Sequence, residues 1–331
     1  MIKDILYCLW LSCLVMAVSH AAETVYHGDN QQLIEQMLEH HNAGFVGLEH
    51  QEYGDTVQLH WEPLTKPHPL GRLHLPNGLE LSYGDIVALG GDLFGDPSCV
   101  ISDSKPEQRN SCFKRHFADL ALPQDTNNPT VQAIALLSYF SALSKQLEYA
   151  REQGQSDWQF YGELGSEFNK QLNRLTGGGS LISSYLPFGQ YLKLAQVNFD
   201  HFVPDSLIAY QVGHRVALGT AQHAHALFIE GKLSDASLAL QLAYAQNAFA
   251  NHYLTDSMSS GHMRTPRRAI HNELFLPAIL KLLIANLMHD EDSQFGLMVW
   301  LKLASLWRCI FKAPRCCYPA RNFKKNHATL S

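Results

Sequence analysis

The apolar pattern predicts helices over residues 129–152, 157–175, 188–199, 204–230, 234–256 and 270–288, with an earlier one over 30–43 that carries Leu33, Met37 and His40 on one face. The 129–152 segment opens at Asn128-Pro129 and closes near Lys145 and Arg151, as helix ends do. Residues 44–82 break the pattern. Pro63, Pro67, Pro69 and Pro76-Asn77-Gly78 predict short strands or an extended surface excursion there. The 81–97 stretch is apolar and glycine-rich, yet it holds Asp85, Asp92 and Asp96, and carboxylates in such surroundings need charge partners. Thr176-Gly-Gly-Gly-Ser180 reads as a plain linker, because no lysine follows in phosphate-loop register. The expected fold is mainly α with an irregular N-terminal region.

The 234–256 helix carries the most chemistry. Leu238, Leu242, Ala245 and Phe249 recur at spacings of three and four and predict its buried stripe. His252 and Asp256 continue that stripe. An imidazole and a carboxylate one turn apart on a buried face are costly unless paired or metal-bound. Ser257-Met-Ser-Ser-Gly261 is a small-residue turn, so His262 can double back toward the same point. His-x3-Asp-x5-His offers nitrogen and oxygen donors of the kind zinc takes. A helix-end His–Asp hydrogen bond is the simpler alternative.

Composition adds limits. Of 331 residues, 46 % are apolar and 17 % charged, which permits a sizeable core, and a net charge of −6 gives no reason to expect nucleic acid. Residues 1–22 read as a secretory signal: Lys3, an apolar run from Ile5 to Val18, then Ser19-His20-Ala21. No later stretch is long and apolar enough to span a membrane. Cys99 and Cys112 flank a polar loop and are either a disulfide or two free thiols.

His252-Tyr-Leu-Thr-Asp256-x5-His262 resembles the zinc signature of the bacterial zinc-dependent phospholipases C and the related single-strand-specific zinc nucleases. The wider Asn251–Arg267 segment is more similar to the phosphatidylcholine-hydrolysing branch. Asn198-Phe-Asp-His201 resembles the segment that supplies a further zinc histidine. Gly90-Gly-Asp92-Leu-Phe-Gly95 resembles the one whose aspartate binds zinc and orients the attacking water. Met288-His289-Asp-Glu-Asp292 resembles the one that completes the second zinc. The resemblance covers roughly residues 80–300. It implies a secreted phospholipase C with two or three Zn2+, acting on phospholipid at a membrane surface. Asp92, His201, His252 and Asp256 would hold one zinc, Asp256 bridging, while His262, His289 and Asp292 hold the other and Asp92 deprotonates the water. A nuclease and an inactive, merely binding homologue are the alternatives.

Departures accompany the match. In the small phospholipases a glutamate follows the histidine by four; here Asp292 follows His289 by three and Ser293 by four. A third zinc would need a tryptophan at the mature N-terminus, which is missing, with His27 as the nearby histidine; an ordinary exposed histidine is the simpler reading. His214 is a ligand or a ligand's partner. Arg264, Arg267 and Arg268 either meet a lipid phosphate or form a solvated basic turn. On this reading 1–22 is the signal, 23–300 the catalytic domain and 301–331 an atypical tail. Cys309, Cys316 and Cys317 crowd that tail, which lacks any period. A frameshift near 298–303 would account for it: with suitable codons, reading one base later gives a helix-friendly string similar to the family's ending, an expectation that sequencing the gene tests.

Overall fold

A computed structural model of the protein describes residues 47–59, 68–69, 71–123, 129–273 and 275–297. The expected signal 1–22, the helix over 30–43, His27 and the tail 301–331 lie outside the described residues. What is described is mainly helical. Twelve α-helices are joined by short connections: α1 (Gly47–Asp55), α2 (Tyr83–Leu89), α3 (Arg109–Ala121), α4 (Pro129–Glu152), α5 (Asp157–Leu164), α6 (Glu167–Leu175), α7 (Gln190–Gln196), α8 (Asp205–Ile229), α9 (Leu233–Asp256), α10 (Ser260–Arg264), α11 (Arg267–Glu273) and α12 (Ala278–Phe295). A 3₁₀ turn, Asn198–His201, lies between α7 and α8. None of the described helices is long and apolar enough to cross a membrane.

The irregular N-terminal part contains two antiparallel two-stranded hairpins, β1 (Gln58–Leu59) with β2 (His68–Pro69) and β3 (Leu73–His74) with β4 (Glu80–Leu81). It also contains α1, which sequence pattern does not announce: the helix GLEHQEYGD is mostly polar and forms because Leu48, His50 and its two glycines pack inward. Next comes α2, started by a Ser82–Asp85 capping box and buried at all seven positions. A helix buried all round shows no 3.6-residue period. The three carboxylates of this stretch do find partners. Asp85 accepts from Gln51 and faces Arg72 at 3.5 Å, Asp96 accepts from Ser98 and faces Arg115 at 3.4 Å, and Asp92 enters the site described below.

Helix α4 matches its predicted span, with Ala133, Leu136, Phe140, Leu143, Leu147 and Ala150 buried at alternating spacings of three and four. The expected 157–175 helix is instead two, split at Gly165, whose φ of 54° ends α5. The expected 270–288 helix is likewise divided into α11 and α12. Helices α8 and α9 form an antiparallel pair that runs through the core. Phe249 of α9 meets Phe113 and Phe117 of α3 edge-on, both at 5.8 Å. The predicted α9 stripe holds only in its second half. Ala245, Phe249, His252 and Asp256 are buried, but Leu238 is 56 % exposed and Leu242 only partly buried. The start of α9 projects past the core with the end of α8, where Phe228, Ile229 and Leu233 are exposed too. Cys99 and Cys112 form a disulfide.

Candidate metal centre

Five chain segments converge at the C-terminal end of α9. His252 and Asp256, one turn apart, are both completely buried. Backbone bonds from Met258 to Thr255 and from Ser259 to Asp256 close the turn after α9, and α10 then brings His262 back beside Asp256. The 3₁₀ turn contributes His201, tied to α10 by Val203 N–H donating to the His262 carbonyl. The loop after α2 contributes Asp92, and α1 contributes His50.

The two oxygens of Asp256 face different donors. Oδ2 lies 2.8 Å from His201 Nδ1 and 3.3 Å from His252 Nε2. Oδ1 lies 3.4 Å from His50 Nε2 and 3.4 Å from His262 Nδ1. Asp92 approaches the first set, 3.5 Å from His201 and 3.8 Å from His252. His201 and His252 are themselves 3.1 Å apart. Two donor groups that could hold a metal ion result: His50, His252 and Asp256, and Asp92, His201 and His252.

Tautomers can be read from the outer partners. His252 Nδ1 donates to the Val87 carbonyl at 2.9 Å, so its Nε2 presents a lone pair to the cluster. The Thr255 hydroxyl donates to the backbone carbonyls of Asn251 and His252, so at 2.7 Å it accepts from His50 Nδ1. His50 Nε2 therefore also turns a lone pair toward Asp256. Asp256 Oδ1 is buried and makes no hydrogen bond among the described residues. Lone pairs converging on a buried carboxylate repel unless a proton or a cation lies between them. The nitrogen and oxygen donors present suit a divalent cation.

Titration follows the same geometry. Burial disfavours a charged imidazole at His201, but Asp92 and Asp256 outweigh it and raise its pKa to about 9. Burial holds His252 down at about 4 and His262 well below its ordinary value. Burial alone would raise the pKa of Asp256; His262, His252 and His201 overcome it and hold the carboxyl well below the usual range.

His289 on α12 adjoins His262, with ring centroids 4.7 Å apart, and donates from Nδ1 to Asp290 at 2.9 Å. Asp292 is not brought to this cluster. Both its oxygens engage the Arg264 guanidinium, Nε at 2.9 Å, and Ser293 is the residue that lies beside His289 and Gly261. A Cβ on Gly261 would meet Ser293 Oγ at 2.4 Å and His289 at 2.5 Å, so this crossing of α10 and α12 requires glycine. Gly91 is similar: its φ is 73°, and a Cβ would lie 2.5 Å from His252 and 2.9 Å from His201.

Other candidates fall elsewhere. His214 bonds Asn247 at 2.7 Å in a network with Tyr83 and Asn251, His223 and His225 are exposed, and His271 packs on Phe199. Each of the three arginines has protein partners, so they do not form a free basic turn. Arg264 holds Asp292; Arg267 is buried and bonds Asn198 and the Gln196 carbonyl; Arg268 bonds Asp205, Asp103 and Ser102. His50 is the site residue that sequence reasoning missed. A histidine in a short polar helix, 205 positions from the Thr255 that orients it, left only its own identity as a signal. No family model, curated protein or solved structure matches the chain.

Proposed function

We propose that the protein is a secreted zinc-dependent phospholipase C with a phospholipase C/nuclease-like helical fold, cleaving the phosphodiester bond of phosphatidylcholine-type lipids to diacylglycerol and a phosphorylated headgroup. The observation that carries the reading is the division of Asp256, one oxygen toward His201 and His252 and the other toward His50 and His262, at full burial. Such a carboxylate suits a site holding more than one cation. Zinc bound there would neutralise phosphodiester oxygens and acidify a bound water. His201, His252, Asp256 and Asp92 are the residues that would hold one ion, and His262 and His289 a second. His50, beside Asp256, is a candidate to hold a third ion. Asp92, with its side chain 36 % exposed where those of His201, His252 and Asp256 are buried, is the residue that would meet substrate, hold the attacking water and take its proton.

One observation favours a second reading, a homologue that binds metal without turnover. Asp292 is committed to Arg264, and Asp290 accepts from His289 Nδ1, so neither carboxylate of this segment stands free beside the His262–His289 pair. Elemental analysis of the wild type beside His252→Ala, with turnover of a chromogenic phosphocholine ester and of single-stranded DNA, separates the readings. Zinc together with ester hydrolysis, both lost in the variant, supports the phospholipase. Zinc without turnover supports the binding protein, DNA cleavage the nuclease, and a zinc-free protein overturns the proposal.

A further inference from the structure

The loop between α6 and α7 ends in two adjacent aliphatic side chains fully in water: Leu181 is 108 % and Ile182 92 % exposed. Isolated exposed leucines are ordinary, but an adjacent pair without cover marks a contact surface. The tip is also built to hold that pose. Ser180 N–H donates to the Ser183 carbonyl at 2.7 Å, and Ser183 N–H returns to Ser180 Oγ at 3.1 Å. Below the tip, the buried Asn173 side chain donates to the Ser184 carbonyl at 2.9 Å and accepts from Gly189 N–H at 2.7 Å. Tyr185 is fully buried just behind it. The expected plain linker is thus a braced turn, in which the Ser180 and Ser183 N–H groups and the Ser183 carbonyl are satisfied internally.

Charge distribution identifies the partner. Residues 175–192 contain no Asp, Glu, Lys, Arg or His, and two exposed cations bound the stretch, Lys193 on one side and Arg174, which also pairs with Glu167 at 3.3 Å, on the other. The tip of the α8–α9 pair also exposes Ile229 and Leu233, but Glu230, Lys232 and Asp235 interrupt it. We propose that the Ser180–Ser183 tip is a membrane-docking wedge that inserts Leu181 and Ile182 among the acyl chains of a phospholipid surface while Arg174 and Lys193 lie at the phosphate layer. A projecting apolar tip suits a lipid interface, whose chains close around it. No charge is carried inward, and the bonds between Ser180 and Ser183 lower the polar cost of insertion. The inference rests on the lipid-substrate reading for its purpose but is measured independently of turnover.

The test is co-flotation of the full-length protein with phosphatidylcholine vesicles, alone and mixed with an anionic phospholipid. Leu181→Ser/Ile182→Ser is expected to lower the vesicle partition coefficient at least about tenfold, as loss of two buried aliphatic groups implies, with zinc content and thermal midpoint unchanged. A Leu181→Trp variant is expected to show a blue-shifted emission on vesicle addition relative to the wild type. Ile229→Ser and Phe275→Ser, each removing another exposed apolar side chain, are expected to bind as the wild type does. Wild-type protein that does not float, a tip variant that floats equally well, or a control variant that loses as much binding as the tip overturns the docking proposal. So does a tip variant that loses self-association and keeps vesicle binding, since the occupant would then be a second copy. A protein that floats through its tip yet hydrolyses no ester keeps this inference and loses the catalytic one.

Discussion

Replacing Gly91 by alanine tests whether the two donor groups are assembled as described, because this glycine lies directly against two of the imidazoles. Its φ of 73° is a backbone conformation that costs an L-residue about 1–2 kcal/mol. The added methyl would lie 2.5 Å from His252 Cδ2, 2.8 Å from His252 Nε2 and 2.9 Å from His201 Cε1. Neither ring can retreat freely: His252 is fully buried with Nδ1 fixed by the Val87 carbonyl, and His201 is held by Asp256. Overpacking of this kind costs about 1–3 kcal/mol, so the total loss should be about 2–5 kcal/mol. The damage should fall on metal binding as well, since both rings would have to leave their donor positions. Urea denaturation of the metal-free protein, with zinc content after dialysis, reads both effects. Gly219→Ala is the control: it lies inside α8 with nothing within 4 Å of a new Cβ, and should stabilise by about 0.5–1 kcal/mol. A Gly91→Ala protein within about 0.5 kcal/mol of the wild type, with full zinc content, would refute the placement of the 90–92 loop beneath His201 and His252.

Three further outcomes follow from the same geometry. The His201 pKa is raised from 6.5 to about 9 in the metal-free protein, so its contribution to stability is fully present below pH 6.5 and fades as pH rises through 9. Denaturation of chelator-treated protein should show this decline, His201→Gln should abolish it, and an unchanged slope in that variant would assign it to another group. His50→Ala should lower zinc content, whereas Asp292→Asn should keep it and lose only the Arg264 ion pair; zinc loss in Asp292→Asn would place Asp292 among the ligands after all. Cys99→Ser/Cys112→Ser should destabilise by roughly 3 kcal/mol in equilibrium unfolding, from the 13-residue separation that the disulfide closes; no change on reduction of the wild type would argue that the bond does not form.

Much of the helical architecture is legible in the residues themselves. Residues 129–152 carry a strict three-and-four spacing and a proline start, so local pattern and final burial agree. The His252–Asp256 pair is legible for the same reason, since one turn of α9 fixes their relation whatever surrounds them. Where a segment is buried all round, as α2 is, or forms through contacts elsewhere, as α1 does, no amphipathic signal is present to read. Periodicity also misplaces Leu238, because a repeat identifies a stripe but not how far along the helix the core extends.

The sequence alone therefore determined the mainly helical class, the one-turn spacing of His252 and Asp256, and the small-residue turn that lets His262 return. These depend on bonds and contacts within a few residues. Only the tertiary structure decided that His50 joins Asp256, that Asp292 turns to Arg264, and that the linker after α6 is a braced turn. The first two depend on groups far apart in the chain, and the third on the Asn173 side chain reaching from α6 to Ser184 and Gly189 of the loop. Which partner each side chain takes is settled by packing, which local sequence does not encode.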